Sequence, residues 1–275
     1  MKPAPFDYLR PVSISEAVEH AARSGADARY LAGGQSLMAM LNMRLAEPRV
    51  LIDVGALRDA AHIRLSDSHV AIGCAVRQSE LERWPQLQRE LPLVAHALPW
   101  VGHHQTRSRG TVCGSIAHAD PSSELPLCLA LLDGEVELQS RRGRRTVQGA
   151  EFFLGVLQTA RGDDELISEV RLPRRQPGSG VAFREMAIRH GDFALIAVGV
   201  VATQSTVRIA IGGAGDRPEV RAWPAIADGD LDEALNELAW SLDCRDDQHA
   251  TAAYRRHLIR SLGRQTVKEA LACRS

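Results

Sequence analysis

The chain carries no surplus of charge, no long apolar run, few cysteines and neither of the common nucleotide fingerprints, and each lack removes a class of function. Its 33 Lys and Arg residues nearly cancel 34 Asp and Glu, so no whole-molecule field draws it to nucleic acid or to an anionic membrane. Any nucleotide must therefore be held locally. No stretch approaches the ~20 apolar residues of a membrane span, and residues 1–7 lack the apolar run of a secretory signal. The expected location is the cytoplasm. The five cysteines, Cys74, Cys113, Cys128, Cys244 and Cys273, are odd in number and widely spaced, which fits a reducing compartment and offers no disulfide framework. Their spacing also misses the tight C-x4-C-x2-C pattern of ferredoxin-like clusters, so the chain is expected to carry no iron–sulfur cluster of its own. Neither G-x-x-x-x-G-K-S/T nor G-x-G-x-x-G after a strand occurs, which sets aside ATPase and NAD-Rossmann readings.

What is present suffices for a folded protein: 275 residues with 45% apolar side chains can fill a core and make about two domains at roughly 100–200 residues each. Residues 14–24 space their apolar positions as an amphipathic helix does, and 27–32 turn strand-like before Gly33. Leu37, Met40, Leu41 and Leu45 share one helical face until Pro48 ends the helix, and residues 50–54 read as a strand. Together these make strand, Gly-Gly turn, helix, strand. A strand over 69–75, a helix from Ser79 and a mostly apolar helix over 91–101 follow. Residues 102–124 are small and polar with no helical period; so long a loop inside a compact domain is usually functional.

Residues 135–140 and 146–148 flank Arg141-Arg142-Gly143-Arg144-Arg145 as a hairpin with a charged tip, either a solvated end or a partner patch. After a strand over 165–172, residues 173–180 look like a linker, which places a boundary between domains 1–175 and 176–275. The last third reads as strands over 181–189, 193–202 and 207–211, then helices near 229–243 and 248–272. An antiparallel sheet beside helices is the expectation.

The turn Ala32-Gly33-Gly34-Gln35-Ser36-Leu37 lies between a strand end and a helix start, where unpaired backbone N–H groups and the helix dipole attract phosphate. Glycine matters there because a side chain would hold the anion off the amides and because such turns often need positive φ. A Gly-Gly turn before a helix is also an ordinary connection. About eighty residues on, Gly110-Thr111-Val112-Cys113-Gly114-Ser115 repeats the small, hydroxyl-rich character, and two such loops can grip the two phosphates of one pyrophosphate. A dinucleotide is the better expectation.

These motifs, with Arg109-Gly110-Thr111-Val112-Cys113-Gly114-Ser115-Ile116-Ala117-His118-Ala119-Asp120-Pro121, Glu165-Leu166-Ile167 before Pro173, and Arg189-His190-Gly191-Asp192-Phe193-Ala194, resemble the FAD-binding medium subunit of the molybdenum hydroxylases, the xanthine dehydrogenase and carbon monoxide dehydrogenase family. The resemblance covers nearly the whole chain. It implies an α+β fold: a two-lobed vanillyl-alcohol-oxidase-type FAD-binding domain, then a small C-terminal domain of antiparallel sheet plus helices. It implies that Ala32, Gly33, Gly34, Gln35, Ser36 and Leu37 form a first pyrophosphate loop and Thr111, Gly114 and Ser115 a second. Glu124 then matches a carboxylate that accepts a flavin hydroxyl, Ile167 an apolar residue near the ring, and Phe183 an aromatic that stacks on it; His118, two residues before Asp120, invites a general-base reading but reads better as a structural or flavin-contacting residue, since electron transfer through a flavin needs no base on this chain. The resemblance also implies an electron-transfer role in a cytoplasmic dimer of heterotrimers. A large partner subunit would hold the molybdenum cofactor, and a small one 2Fe-2S clusters. Three positions depart from the pattern: Cys113 stands where many relatives have glycine, Glu124 is one methylene longer than the usual aspartate, and Glu185 replaces a lysine.

Other residues have bland readings. His103 and His104 lack partners at metal-ligand spacing and read as polar loop residues. Cys113 has no Cys/His/Asn arrangement to make it a nucleophile. Two other functions compete with the electron-transfer subunit: a self-sufficient FAD oxidoreductase with its own substrate pocket, and a non-catalytic nucleotide-binding assembly module.

Overall fold

The computed structural model describes residues 2–227 and 229–274. The first lobe runs β1 (Asp7–Leu9), α1 (Ile14–Ser24), β2 (Ala28–Leu31), α2 (Leu37–Asn42) and β3 (Val50–Asp53), with the strands forming a parallel sheet in the order β1-β3-β2. Helix α1 starts where its sequence says it should: the Ser13 side chain accepts from the Glu16 N–H and the Glu16 carboxylate accepts from the Val12 N–H, a reciprocal cap. Its apolar face buries Ala17, Val18 and Ala21. Helix α2 stops sooner than the period suggested, because Arg44 turns left-handed at φ 56° and Leu45 is 69% exposed. Burial ends at Leu41, so the helical spacing beyond it has nothing to pack against.

The second lobe holds β4 (Ile63–Leu65), β5 (His69–Gly73), α3 (Gln78–Glu82), α4 (Leu87–Glu90), α5 (Pro92–Ala97), α6 (His104–Arg107), α7 (Val112–His118), α8 (Glu124–Leu131), β6 (Glu135–Ser140), β7 (Gly143–Gln148), α9 (Gly149–Phe152), β8 (Phe153–Gly155), β9 (Gln158–Thr159) and β10 (Leu166–Pro173). An antiparallel sheet in the order β4-β5-β10-β6-β7 is its backbone. The expected loop over 102–124 instead contains two short helices, α6 and α7, of 4 and 7 residues. Neither is long enough to display a face. The charged hairpin tip is an internally paired end: Arg141 meets Glu19, Arg142 Asp164, Arg144 Glu137 and Arg145 Glu165.

Beyond residues 174–179 comes an antiparallel meander of β11 (Gly180–Met186), β12 (Ile196–Ala202), β13 (Thr206–Gly212) and β14 (Glu219–Pro224), followed by α10 (Leu231–Ser241) and α11 (Ala252–Ala272). The last strand was not expected, and it lies at the sheet edge with half its residues exposed or nearly so. One face of the meander carries α10 and α11 and closes a second apolar core around Ile209, Leu235 and Ile259. The other face receives α8 and α5. It can do so because Gly199 and Gly212 leave room: a Cβ on Gly199 would sit 2.8 Å from Leu127. Helix α8 is thus buried all round, including Leu125, Leu127, Leu129 and Leu131, and each such leucine stabilises the fold by roughly 1.5–3 kcal/mol on burial.

Candidate functional site

A cavity of about 820 Å³ runs between the two lobes and is walled on one side by the meander. Ala32, Gly33, Gly34, Gln35, Ser36 and Leu37 line it at the end of β2, and Thr111, Gly114, Ser115 and His118 line it from α7. Among the described residues the backbone N–H groups of Gly33, Gly34, Gln35 and Ser36 donate to no acceptor in the chain. Gly34 holds φ +72°, the left-handed turn that aims successive amides the same way and that glycine adopts without strain. The Gln35 side-chain amide closes back onto the Gly33 carbonyl at 3.1 Å.

The two loops touch. A Cβ built on Gly33 would lie 2.2 Å from the Arg109 carbonyl oxygen and 2.5 Å from the Gly110 Cα, so only glycine lets the turn rest on the second loop. That second loop is held by its own bonds: Gly110 and Arg109 donate to the Thr106 carbonyl, Val112 donates to Val76, and the Thr111 hydroxyl accepts from the Gly114 N–H at 2.9 Å to cap α7. Cys113 points away from the cavity's polar side into the core, its thiol donating to the Ile72 carbonyl at 3.5 Å. Burial pushes that thiol well above its ordinary range, which disfavours the thiolate.

Glu124 lines the cavity from the first turn of α8 at 6% exposure. Burial pushes its carboxyl up to about 7, its own backbone N–H pulls it back, Asp120 raises it and Arg107 lowers it. The His118 imidazole is lowered, first by burial, with Asp120 opposing. Ile167 and Leu166 supply apolar wall from β10. Of the residues expected to contact the cofactor, Phe183 is the one outside the cavity's lining. It is 7% exposed, on the side of β11 that faces α8 and α5, and is absorbed into the main core rather than the cavity. Phe193, 64% exposed in the connection between β11 and β12, lines the cavity instead.

Sequence reasoning missed the residues that arrive from far along the chain: Asp247, His249 and Arg255 at the start of α11 and before it, and Gln78, whose buried Oε1 has no partner. The Arg189-His190-Gly191-Asp192-Phe193-Ala194 motif was the available signal for the meander's contribution. His103 has a local task in that contribution, since its ring lies 2.7 Å from where a Gly191 Cβ would be, and His190 packs on Trp100 with ring centroids 5.2 Å apart.

Two lobes and a meander enclosing a glycine-walled cavity, with free amides at one turn and a buried carboxyl beside apolar wall, define a dinucleotide-binding flavoprotein fold. Residues 4–175 match the FAD binding domain in molybdopterin dehydrogenase, and residues 181–270 the CO dehydrogenase flavoprotein C-terminal domain. The nicotine 6-hydroxylase medium subunit of Paenarthrobacter nicotinovorans is 36% identical over 98% of this chain and 99% of its own length. The carbon monoxide dehydrogenase medium chain of Hydrogenophaga pseudoflava is 36% identical over 77% of this chain and 75% of its own. Among solved structures, reconstituted CO dehydrogenase from Oligotropha carboxidovorans superposes with a TM-score of 0.94 at 30% identity, covering 99% of this chain and 100% of that one. The chain belongs to the FAD-binding medium-subunit family of the molybdenum hydroxylases.

Proposed function

We infer that this chain is the FAD-carrying electron-transfer subunit of a multi-subunit molybdenum hydroxylase, passing electrons from iron–sulfur clusters through FAD to an external acceptor. One observation carries the reading: the turn at Gly33 and Gly34, with its free amides, lies back to back with the Arg109-Gly110 loop on the wall of a cavity large enough for a dinucleotide. The residues fit the cofactor. Free N–H groups at Gly33, Gly34, Gln35 and Ser36 suit a pyrophosphate, the Ser115 hydroxyl adds a polar contact, and Glu124 suits a ribityl hydroxyl. Leu166, Ile167 and Phe193 suit an aromatic ring system, Phe193 taking the part expected of Phe183. FAD supplies the chemistry, since it exchanges electrons singly or in pairs; the chain's residues bind it, orient it and exclude water.

The partners are a large subunit with the molybdenum cofactor and a small subunit with 2Fe-2S clusters, assembled as a dimer of heterotrimers in the cytoplasm, and the FAD-binding domain ends at residue 175. Among the described residues no helix is long and apolar enough to cross a membrane. FAD is held without a covalent bond, because the two thiols on the cavity wall, Cys74 and Cys113, are both buried and burial pushes both up, away from the reactive thiolate. Acid precipitation should therefore release the yellow colour into the supernatant; colour left in the pellet would overturn the non-covalent reading, and a colourless chain would overturn the cofactor reading. A self-sufficient oxidoreductase would reduce its acceptor with a small organic donor unaided. The electron-transfer subunit needs its partners.

A further inference from the structure

Glu185 is the buried charge for which the cavity's chemistry gives no account. It sits on β11, opposite Ala197 of β12, at 7% exposure. Both of its carboxylate oxygens are shut off from solvent and have no hydrogen-bond partner. An ionised carboxylate without a partner is strongly disfavoured in such a place, whereas the neutral acid is tolerated. Burial pushes the carboxyl up to about 9, and the charge of Glu124 adds to it.

Among the described residues no cation is bonded to it. Strand alternation places Val181, Phe183 and Glu185 on the face of β11 that belongs to the main core, towards α8 and α5. From α8 the titratable groups are Glu124 and the Cys128 thiol, which burial and Glu124 push up, and from α5 the group is His96, which lies 3.4 Å from the Gln88 amide. On the opposite face α11 presents Glu269, already bound by Arg184. Beyond Glu124, Asp120 pushes its carboxyl up and Arg107 pulls it down, but Arg107 is engaged by Glu82 at 3.0 Å. The connection after β11 carries Arg189, His190 and Asp192, with His190 packed on Trp100. Two carboxyls thus stand near each other at the cavity wall, one lining it and one behind it.

We propose that Glu185 is a positioning residue for Glu124: it keeps one proton behind the cavity wall and, by staying neutral, lets Glu124 present an ionised carboxylate to a hydroxyl of the bound cofactor. The proposal rests on the cavity taking FAD. Between about 7, where Glu124 ionises, and about 9, where Glu185 does, the wall carries a single negative charge. Above that interval two buried carboxylates repel each other, and on this proposal the Glu124 geometry is lost.

Two measurements on the full chain test this. In the flavin-free protein at about pH 8, infrared spectroscopy should show the carbonyl band of a buried neutral carboxylic acid, absent from Glu185→Gln; a band that survives in Glu185→Gln overturns the assignment of the proton. FAD affinity, measured by fluorescence quenching, should fall in the wild type by about tenfold per pH unit above about pH 9, one proton's worth. In Glu185→Gln, which keeps the neutral shape, affinity should match wild type at pH 8 and stay flat above it. A packing role would instead shift affinity equally at every pH. Normal binding with the same alkaline fall in Glu185→Gln would sink the positioning role alone, and a chain that binds no FAD at any pH would sink the cavity assignment and the positioning role with it.

Discussion

In the first glycine turn the amides of Gly33, Gly34, Gln35 and Ser36 donate to nothing among the described residues, whereas in the second the amides of Arg109, Gly110, Val112, Gly114 and Ser115 have acceptors and only those of Thr111 and Cys113 do not. The two segments look alike in sequence, small and hydroxyl-rich, yet most amides of the first are free and most of the second are paired. A donor that is already paired gains little by meeting an anion, and a free one near a helix start gains a charge-assisted bond. On the proposed reading the first turn is therefore the main receiving surface, and the second is chiefly the support that fixes its position, with the Thr111 and Cys113 amides and the Ser115 hydroxyl as its own contribution. Likeness of composition does not imply likeness of task.

The sharpest way to break this comparison is at the contact between the loops. Gly33→Val would put a branched side chain where the Arg109 carbonyl already stands, 2.2 Å from the new Cβ, and should cost about 3 kcal/mol of stability together with all bound flavin. Urea unfolding and the flavin-to-protein ratio after gel filtration measure both. A stable yellow Gly33→Val protein would show that the loops part freely. Gly114→Val is expected to be milder: its Cβ would lie 2.8 Å from the Thr111 hydroxyl, breaking the α7 cap at a cost of about 1–2 kcal/mol and leaving a folded but largely colourless chain. Thr111→Ala should have the smallest effect, about 1 kcal/mol from the lost cap, with most flavin retained. If Thr111→Ala lost its flavin while melting at the wild-type temperature, that hydroxyl would be serving the cofactor rather than the helix, and the second loop would be a receiver as well.

The sequence made the regular parts of the fold legible and the site only in part. Helix α1, strand β3 and the β6–β7 hairpin carry clear periods and caps, and they lie where those signals put them. Helices α6 and α7 are too short to show a period, and α8 is apolar on every side because it is buried on every side, so none of the three announces itself by amphipathicity. The glycine turns were readable because glycine is informative where backbones approach closely. Phe183 lies off the cavity wall for a simpler reason: a strand alternates, and its register puts that residue in the main core on the face of the sheet that α5 and α8 cover. Asp247, His249 and Arg255 lie more than a hundred residues beyond either glycine turn, and only the packing of α11 on the meander brings them to the wall. The internal pairing of the hairpin arginines likewise depends on Asp164 and Glu165 folding back beside them.

Helix α8 has a mechanical consequence. By position it precedes the boundary segment over 174–179, but its leucines are seated in the hollow that Gly199 and Gly212 leave on the far sheet. Parting the two halves like a hinge would drag those leucines into water, so the boundary in the sequence is not a joint in the molecule. Heating should melt the whole chain in one calorimetric transition. The connection between β11 and β12, where Ile188 and Phe193 are exposed at the wall, is the part of that wall outside the shared core, so the cavity is framed by two halves that move as one.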